Sequence, residues 1–233
     1  MKFRLWGCFL LSIVFPEHCP FCDALSPQGE PCENCADVPR KAGSPRTLPG
    51  KSGCLCVSPF RYEGEVRQSI LHFKFHGRRD YASYFGRQIA EELRQWMEIS
   101  DCIFVPVPIS RHRMRERGYN QSFLLARAAA EKLGIPCVEL LEKVKNNKTQ
   151  HDLPRKEREK NVKAVYRVKK GKNIQKEILL LDDIITTGFT LAECVSTLEA
   201  AGFSCAVLRD DCREFAGNRE VKRRKRKTVT FSS

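Results

Sequence analysis

Two neighbouring carboxylates, Asp182 and Asp183, follow the apolar residues Ile178 to Leu181 and precede, after two further apolar residues, the string Thr186-Thr187-Gly188-Phe189-Thr190. Ionised aspartates are short, acceptor-only groups, suited to hydrogen-bonding two adjacent sugar hydroxyls while Mg²⁺ neutralises an attached polyphosphate. A Thr- and Gly-containing turn that opens a helix aims backbone N–H groups and hydroxyls at a phosphate, and the helix N-terminus adds partial positive charge. Together these residues describe a site that reads sugar and phosphate at once. The competing reading makes the aspartates turn formers and Thr190 an ordinary N-cap. Turn chemistry alone, however, does not demand the whole ordered string. Neither G-x-G-x-x-G nor G-x-x-x-x-G-K-[ST] occurs, which removes the two commonest rival nucleotide motifs.

Thiol chemistry is the second signal. Cys19-x-x-Cys22 and Cys32-x-x-Cys35 offer four thiolates in two pairs, a spacing that suits tetrahedral Zn²⁺. A closed four-sulfur shell leaves no open position, so such a metal is structural. It would organise residues 16–59, which are rich in Pro, Gly, Ser and Cys and lack a sustained hydrophobic period. Disulfides among the four are the alternative, but disulfide scaffolds are typically short chains. Cys54 and Cys56, in C-x-C spacing, either replace one pair or stand as thiols. Cys8, Cys102, Cys137, Cys194 and Cys205 sit in apolar contexts and read as small core residues. Third, Arg111, Arg113, Arg115 and Arg117 place four guanidiniums in what reads as a short loop after Val105-Pro106-Val107-Pro108. They can neutralise a polyphosphate; for the first three the alternative is a solvated edge.

These groups need elements to hold them. Val66, Ile70 and Phe73 recur at helical spacing, and Tyr81, Phe85, Ile89, Leu93 and Trp96 mark a second helix. Ile103 to Val107 reads as a buried strand, Ser122 to Leu133 as a helix closed by Gly134, and Ile135 to Leu140 as a strand. After the polar stretch Lys143 to Lys163, which has the character of a lid, come strand Ile178 to Leu181, helix Leu191 to Ala201 ended by Gly202, and strand Phe203 to Leu208. Strand, helix, strand predicts a parallel sheet, and ligands bind such sheets at the carboxyl ends of the strands.

The 233 residues, 42% of them hydrophobic, allow one domain plus a smaller module. The formal charge of +13 favours anionic partners. Much of it lies between Arg219 and Lys227, where seven basic residues meet one acid. Near the N-terminus Lys2 and Arg4 precede the apolar run Leu5 to Phe15, which has the outline of a signal peptide. No A-x-A-like site follows, and the run is too short to span a bilayer, so a short helix packed on the body is expected. With no membrane span in sight, a cytoplasmic, reducing location is expected.

The loop Ile178 to Thr190, together with Val105-Pro106-Val107-Pro108, Arg117-Gly118-Tyr119-Asn120-Gln121 and the two C-x-x-C pairs, resembles the ComF family from Cys19 to about Leu208. The resemblance implies an α/β type I phosphoribosyltransferase fold, a parallel sheet flanked by helices, with a small N-terminal zinc-binding cysteine module. It divides the chain into a helix and cysteine module over 1–59, a phosphoribosyltransferase-like domain over 60–212 and a basic disordered tail over 213–233. It implies phosphoribosyl pyrophosphate (PRPP) with Mg²⁺ as the ligand. Asp182 and Asp183 then take the ribose hydroxyls and are the catalytic candidates, while Thr186, Thr187, Gly188, Phe189 and Thr190 surround the 5′-phosphate. Pro106, Val107 and Pro108 begin the pyrophosphate loop, which ends at Ser110, with Arg117 and Asn120 beside it. Thr149, Gln150, Leu153, Arg158 and Asn161 match a family stretch that looks like a lid; the plain alternative is a surface loop. Lys74 and Arg78 either add charge to the pocket or lie along a helix surface. Phe189 stands where related loops have a small residue, and it is expected to face outward. The implied activity is transfer of ribosyl-5-phosphate to an unknown acceptor with release of pyrophosphate. The alternative is a non-catalytic PRPP sensor or single-stranded-DNA-binding factor in DNA uptake, with other competence proteins as partners.

Overall fold

The computed structural model describes residues 17–38, 43–48, 51–97, 99–145, 165–171, 174–203, 205 and 227–229. The expected N-terminal helix and most of the lid, with Thr149, Gln150, Leu153, Arg158 and Asn161, lie outside the described residues.

Two strands that run through the core pair in parallel: β3 (Cys102–Pro106) against β6 (Glu177–Leu181), in register from Cys102 opposite Glu177 to Pro106 opposite Leu181. Both are almost continuously apolar, as strands buried on two faces must be. Their alternation divides the core. Phe104, Leu179 and Leu181 join one cluster, while Ile103, Val105, Ile178 and Leu180 join the other. The first is roofed by α1 (Gly64–Phe75), α2 (Tyr81–Trp96) and α4 (Gln121–Leu133); the second is covered by α5 (Phe189–Ala200) and the small antiparallel pair β4 (Leu141–Lys143) and β5 (Tyr166–Val168).

The remaining strands extend the sheet beyond β6 in the order β1-β2-β7-β6-β3. β1 (Gly43–Leu48) and β2 (Lys51–Ser58) form an antiparallel pair, so the sheet begins well before residue 60 and the expected boundary at 59 cuts through it. β7 (Lys227–Val229) lies parallel to both β2 and β6, which places three residues of the expected basic tail inside the sheet. The expected strand Ile135 to Leu140 makes one parallel bridge, Cys137 to Phe104, and β4, which begins at Leu141, pairs with β5 in a separate sheet. Of Phe203 to Leu208, Cys205 bridges Ile178 in parallel, and residues 206–208 are outside the described set.

The largest departure from expectation is residues 111–117, which form helix α3 rather than a loop. Ser110 caps it by accepting from the Arg113 N–H at 3.3 Å, and Gly118 closes it in the left-handed conformation, φ 76°. Among the described residues, no helix is long and apolar enough to cross a membrane.

Helices α2 and α4 touch at Gly86, where a Cβ would stand 2.4 Å from that of Ala128 and 2.9 Å from the backbone nitrogen of Ala129. Alanine would gain about 1 kcal/mol of helix propensity over glycine, but backbone cannot yield as a flexible side chain can, and the steric cost wins. Gly86→Ala is expected to destabilise the fold by about 1–3 kcal/mol in urea unfolding; an unchanged or raised midpoint would contradict this packing.

Candidate functional site

The parallel register brings the ends of β3 and β6 level, so the residues just beyond the two strands meet at one edge. After β6 come Asp182 and Asp183; after β3 comes Val107, whose N–H donates to the Leu181 carbonyl at 2.8 Å and so carries the pairing one residue past the strand. Asp182 is fixed by two donors to its Oδ1, the Ser122 hydroxyl at 2.9 Å and the Asp183 N–H at 2.9 Å. Removal from water and the neighbouring Asp183 charge push its carboxyl up to about 6, against the opposing pull of Lys74 and the two hydrogen bonds. Asp183 is held differently: the Lys74 ammonium stands 2.9 Å from its Oδ2, and the two side chains are only 15% and 13% exposed.

Gly188 then turns the chain at φ 76° into α5, whose first two residues are Phe189 and Thr190. Thr186 is exposed, and Thr187 and Thr190 are half-buried. The turn thus presents its polar groups where a helix N-terminus begins. Phe189 is half-buried and packs against the second core cluster.

Segment 117–121 ties this edge together. Asn120, expected beside pyrophosphate, has both amide ends committed to the fold: its Oδ1 accepts from the Ser122 N–H at 3.1 Å, capping α4, and its Nδ2 donates to the Val107 carbonyl at 3.0 Å. It holds the loop that leaves β3. Arg117 donates to Gln121 at 3.2 Å and lies over the Phe75 ring at 4.8 Å, while its buried Nε has no partner among the described residues. Arg111, Arg113 and Arg115 are all exposed on α3. Helical spacing puts Arg113 on the face of Arg117, and its charge disfavours the charged forms of both Arg117 and Lys143, though burial is the larger cause in each. Lys143 on β4 lies 5.6 Å from the Tyr166 ring and also feels Asp182. Nothing in the sequence singled it out.

Lys74 and Arg78, equivalent in sequence terms, part company. Lys74 enters the acid pair, whereas Arg78 donates to Asp23 in the cysteine knuckle, where the Tyr81 hydroxyl also donates at 2.7 Å. There Cys19, Cys22, Cys32 and Cys35 bring their sulfurs within 4.8 Å of one another, with Cys22 and Cys32 at 3.5 Å. Sulfurs about 2.3 Å from a tetrahedral metal lie about 3.8 Å apart, so the cluster has the size such an ion requires. All four are thiols rather than disulfides. Burial opposes ionisation of Cys19, but N–H donors from Cys32, Cys22 and Phe21 outweigh it and bring the thiol down to about 7. Cys56 is buried in the second core cluster, on the sheet and apart from this cluster.

The phosphoribosyl transferase domain family matches residues 120–230, from the cap of α4 through the acid pair and the Thr-Gly turn. Competence protein ComFC of Streptococcus pneumoniae is 34% identical over 143 residues, 61% of each chain. Competence protein F of Haemophilus influenzae is 37% identical over 101 residues, 42% of this chain and 44% of that one. The chain is similar to proteins of the ComF family. DNA utilization protein YhgH of Salmonella typhi, 28% identical over 189 residues, is matched over 77% of both chains. The chain spans less than two thirds of the first two relatives' own length. Its fold is the α/β fold of type I phosphoribosyltransferases, with helices on both faces of a largely parallel sheet and a four-cysteine cluster at the N-terminal side. Adenine phosphoribosyltransferase of Leishmania tarentolae superposes over 81% of this chain and 94% of its own with a TM-score of 0.38 at 14% identity.

The raised Asp182 carboxyl has a measurable sign. Between the ordinary aspartate value and about 6 the folded state holds more protons than the unfolded one, so stability falls as pH rises through that window. Wild type is expected to lose on the order of 2–3 kcal/mol between about pH 4 and 6 relative to Asp182→Asn. Urea unfolding across that range checks it, and equal slopes in both proteins would exclude the shift.

Proposed function

We propose that this protein binds PRPP with Mg²⁺ and transfers its ribosyl-5-phosphate to an acceptor, releasing pyrophosphate. The observation that carries this reading is the meeting, at one sheet edge, of the acid pair, the Gly188 turn opening α5 and the loop after β3. Asp182 and Asp183 would accept from the ribose hydroxyls, and N–H groups at the start of α5 would take the 5′-phosphate. Arg117, whose Nε has a donor to spare, and Arg113 on the same helix face would neutralise the pyrophosphate as it departs. Mg²⁺, when bound beside the acid pair, supplies further neutralisation of the polyphosphate. The rest is positioning, since holding the ribose carbon between nucleophile and leaving group lowers the entropic part of the barrier.

The knuckle is read as a structural Zn²⁺ site. Its soft thiolate set favours that ion, and Cys19, Phe21 and Cys35 are buried against Phe60, Tyr84 and Phe85, so the metal would brace one end of the main core. Purified protein is expected to carry about one Zn²⁺ per chain by elemental analysis. Cys35→Ser should lose most of it and melt several degrees lower; a metal-free wild type of unchanged stability would remove the zinc reading.

A second reading is supported by relatives named for competence and DNA utilization and by the +13 charge with exposed arginines on α3. In it, the same edge senses PRPP while the basic surface contacts single-stranded DNA during DNA uptake, alongside other competence proteins in the cytoplasm. Calorimetry separates the cases. Wild type should bind PRPP with Mg²⁺, and Asp182→Asn or Asp183→Asn should weaken binding roughly 10–100-fold, the value of a hydrogen bond to a charged group. Equal binding by all three proteins would end the PRPP reading. Pyrophosphate release with candidate bases then distinguishes transferase from sensor.

A further inference from the structure

Three consecutive residues at the end of α1 are each held by segment 117–121. The Phe73 carbonyl accepts from the Tyr119 hydroxyl, the Lys74 carbonyl accepts from Gln121 Nε2 at 3.4 Å, and the Phe75 ring lies under the Arg117 guanidinium at 4.8 Å. Gln121 uses its other amide end to accept from Arg117 at 3.2 Å, so the tie closes on itself. Asn120, in the same segment, holds the Val107 carbonyl beside the acid pair. The backbone of Lys74 is therefore set in place relative to Asp183, and its ammonium is 2.9 Å from the carboxylate in a largely enclosed position. A lysine near a helix C-terminus ordinarily runs its ammonium out to water; this one is 15% exposed and aimed at an acid 109 residues away.

An acid pair without a cation of its own attracts free divalent metal. Here one of its two charges is already compensated by a group tethered to the fold. A bare Mg²⁺ must displace a tethered, partly desolvated partner and shed its own tightly held water. A Mg²⁺–polyphosphate complex faces a different balance. It brings several negative charges, to which the three donors of the displaced ammonium can turn, and sugar hydroxyls to replace the hydrogen bonds that Asp183 gives up.

We propose that Lys74 is a built-in counter-ion of the acid pair, keeping bare divalent cations off Asp183 and making the site selective for cation that arrives bound to a sugar polyphosphate. The selectivity for the complex rests on the sugar-phosphate reading of the edge; the exclusion of bare cation does not.

Mn²⁺ binding to the full-length, zinc-loaded protein, followed by electron paramagnetic resonance with and without PRPP, tests both parts. Lys74→Gln should bind Mn²⁺ alone at least about tenfold more tightly than wild type, a free-energy change of about 1.4 kcal/mol, while Lys74→Arg keeps the wild-type weakness. In the Asp183→Asn background the gain from Lys74→Gln should vanish. Wild-type affinity in Lys74→Gln, or a gain that survives Asp183→Asn, overturns the counter-ion role. Failure of wild type to bind Mn²⁺ with PRPP, alongside a tighter bare ion in Lys74→Gln, overturns the sugar-phosphate reading and leaves the counter-ion role standing.

Discussion

The parallel pairing of β3 with β6 is the constraint on which the candidate site hangs. Residue-by-residue register from Cys102–Glu177 to Pro106–Leu181 makes the two strands end together, and the Val107 N–H continues the ladder to the Leu181 carbonyl. An acid pair after one strand and a loop after the other then share an edge without any side chain having to reach far. A register slip of a single residue would also reverse the alternation that sends Ile103 and Val105 to one core and Phe104 to the other. Packing on both faces thus sets the geometry at the strand ends.

Segment 117–121 does for the helices what the ladder does for the strands. Gly118 ends α3, Asn120 begins α4, and between them Tyr119 is buried with its ring under Arg79 at 4.6 Å. One short stretch therefore caps two helices, ties the loop after β3 and holds the last turn of α1. Tyr119, Asn120 and Gln121 each donate to a backbone carbonyl, which makes them positioning groups.

Chemistry confined to short stretches was legible in the sequence. The acid pair with its Thr-Gly turn and the two C-x-x-C pairs are contiguous signals, and the long periodic helices and the two central strands emerge from hydrophobic spacing. Helix α3 was hidden because alternating arginines suggest a loop, although Ser110 and Gly118 flank them as ordinary cap residues. The two hydrogen bonds of Asn120 are hidden for a related reason: its partners, the Val107 carbonyl and the Ser122 N–H, meet only in the folded chain. The Lys74–Asp183 pair and the nearness of Lys143 to Asp182 depend on how elements pack, and no local pattern encodes them. The early strands β1 and β2 leave no alternating pattern, because their residues lie in a Pro-, Gly- and Cys-rich stretch whose order comes from sheet pairing.

The knuckle is tied to the stretch that joins α1 to α2. Asp23, held at a positive φ of 66° between the cysteine pairs, takes Arg78 and Tyr81, and Arg78 follows Lys74 by four residues. A peroxide or a thiophilic toxin such as mercury, attacking those cysteine sulfurs, would therefore act on the loop that presents Asp23 to Arg78 and Tyr81.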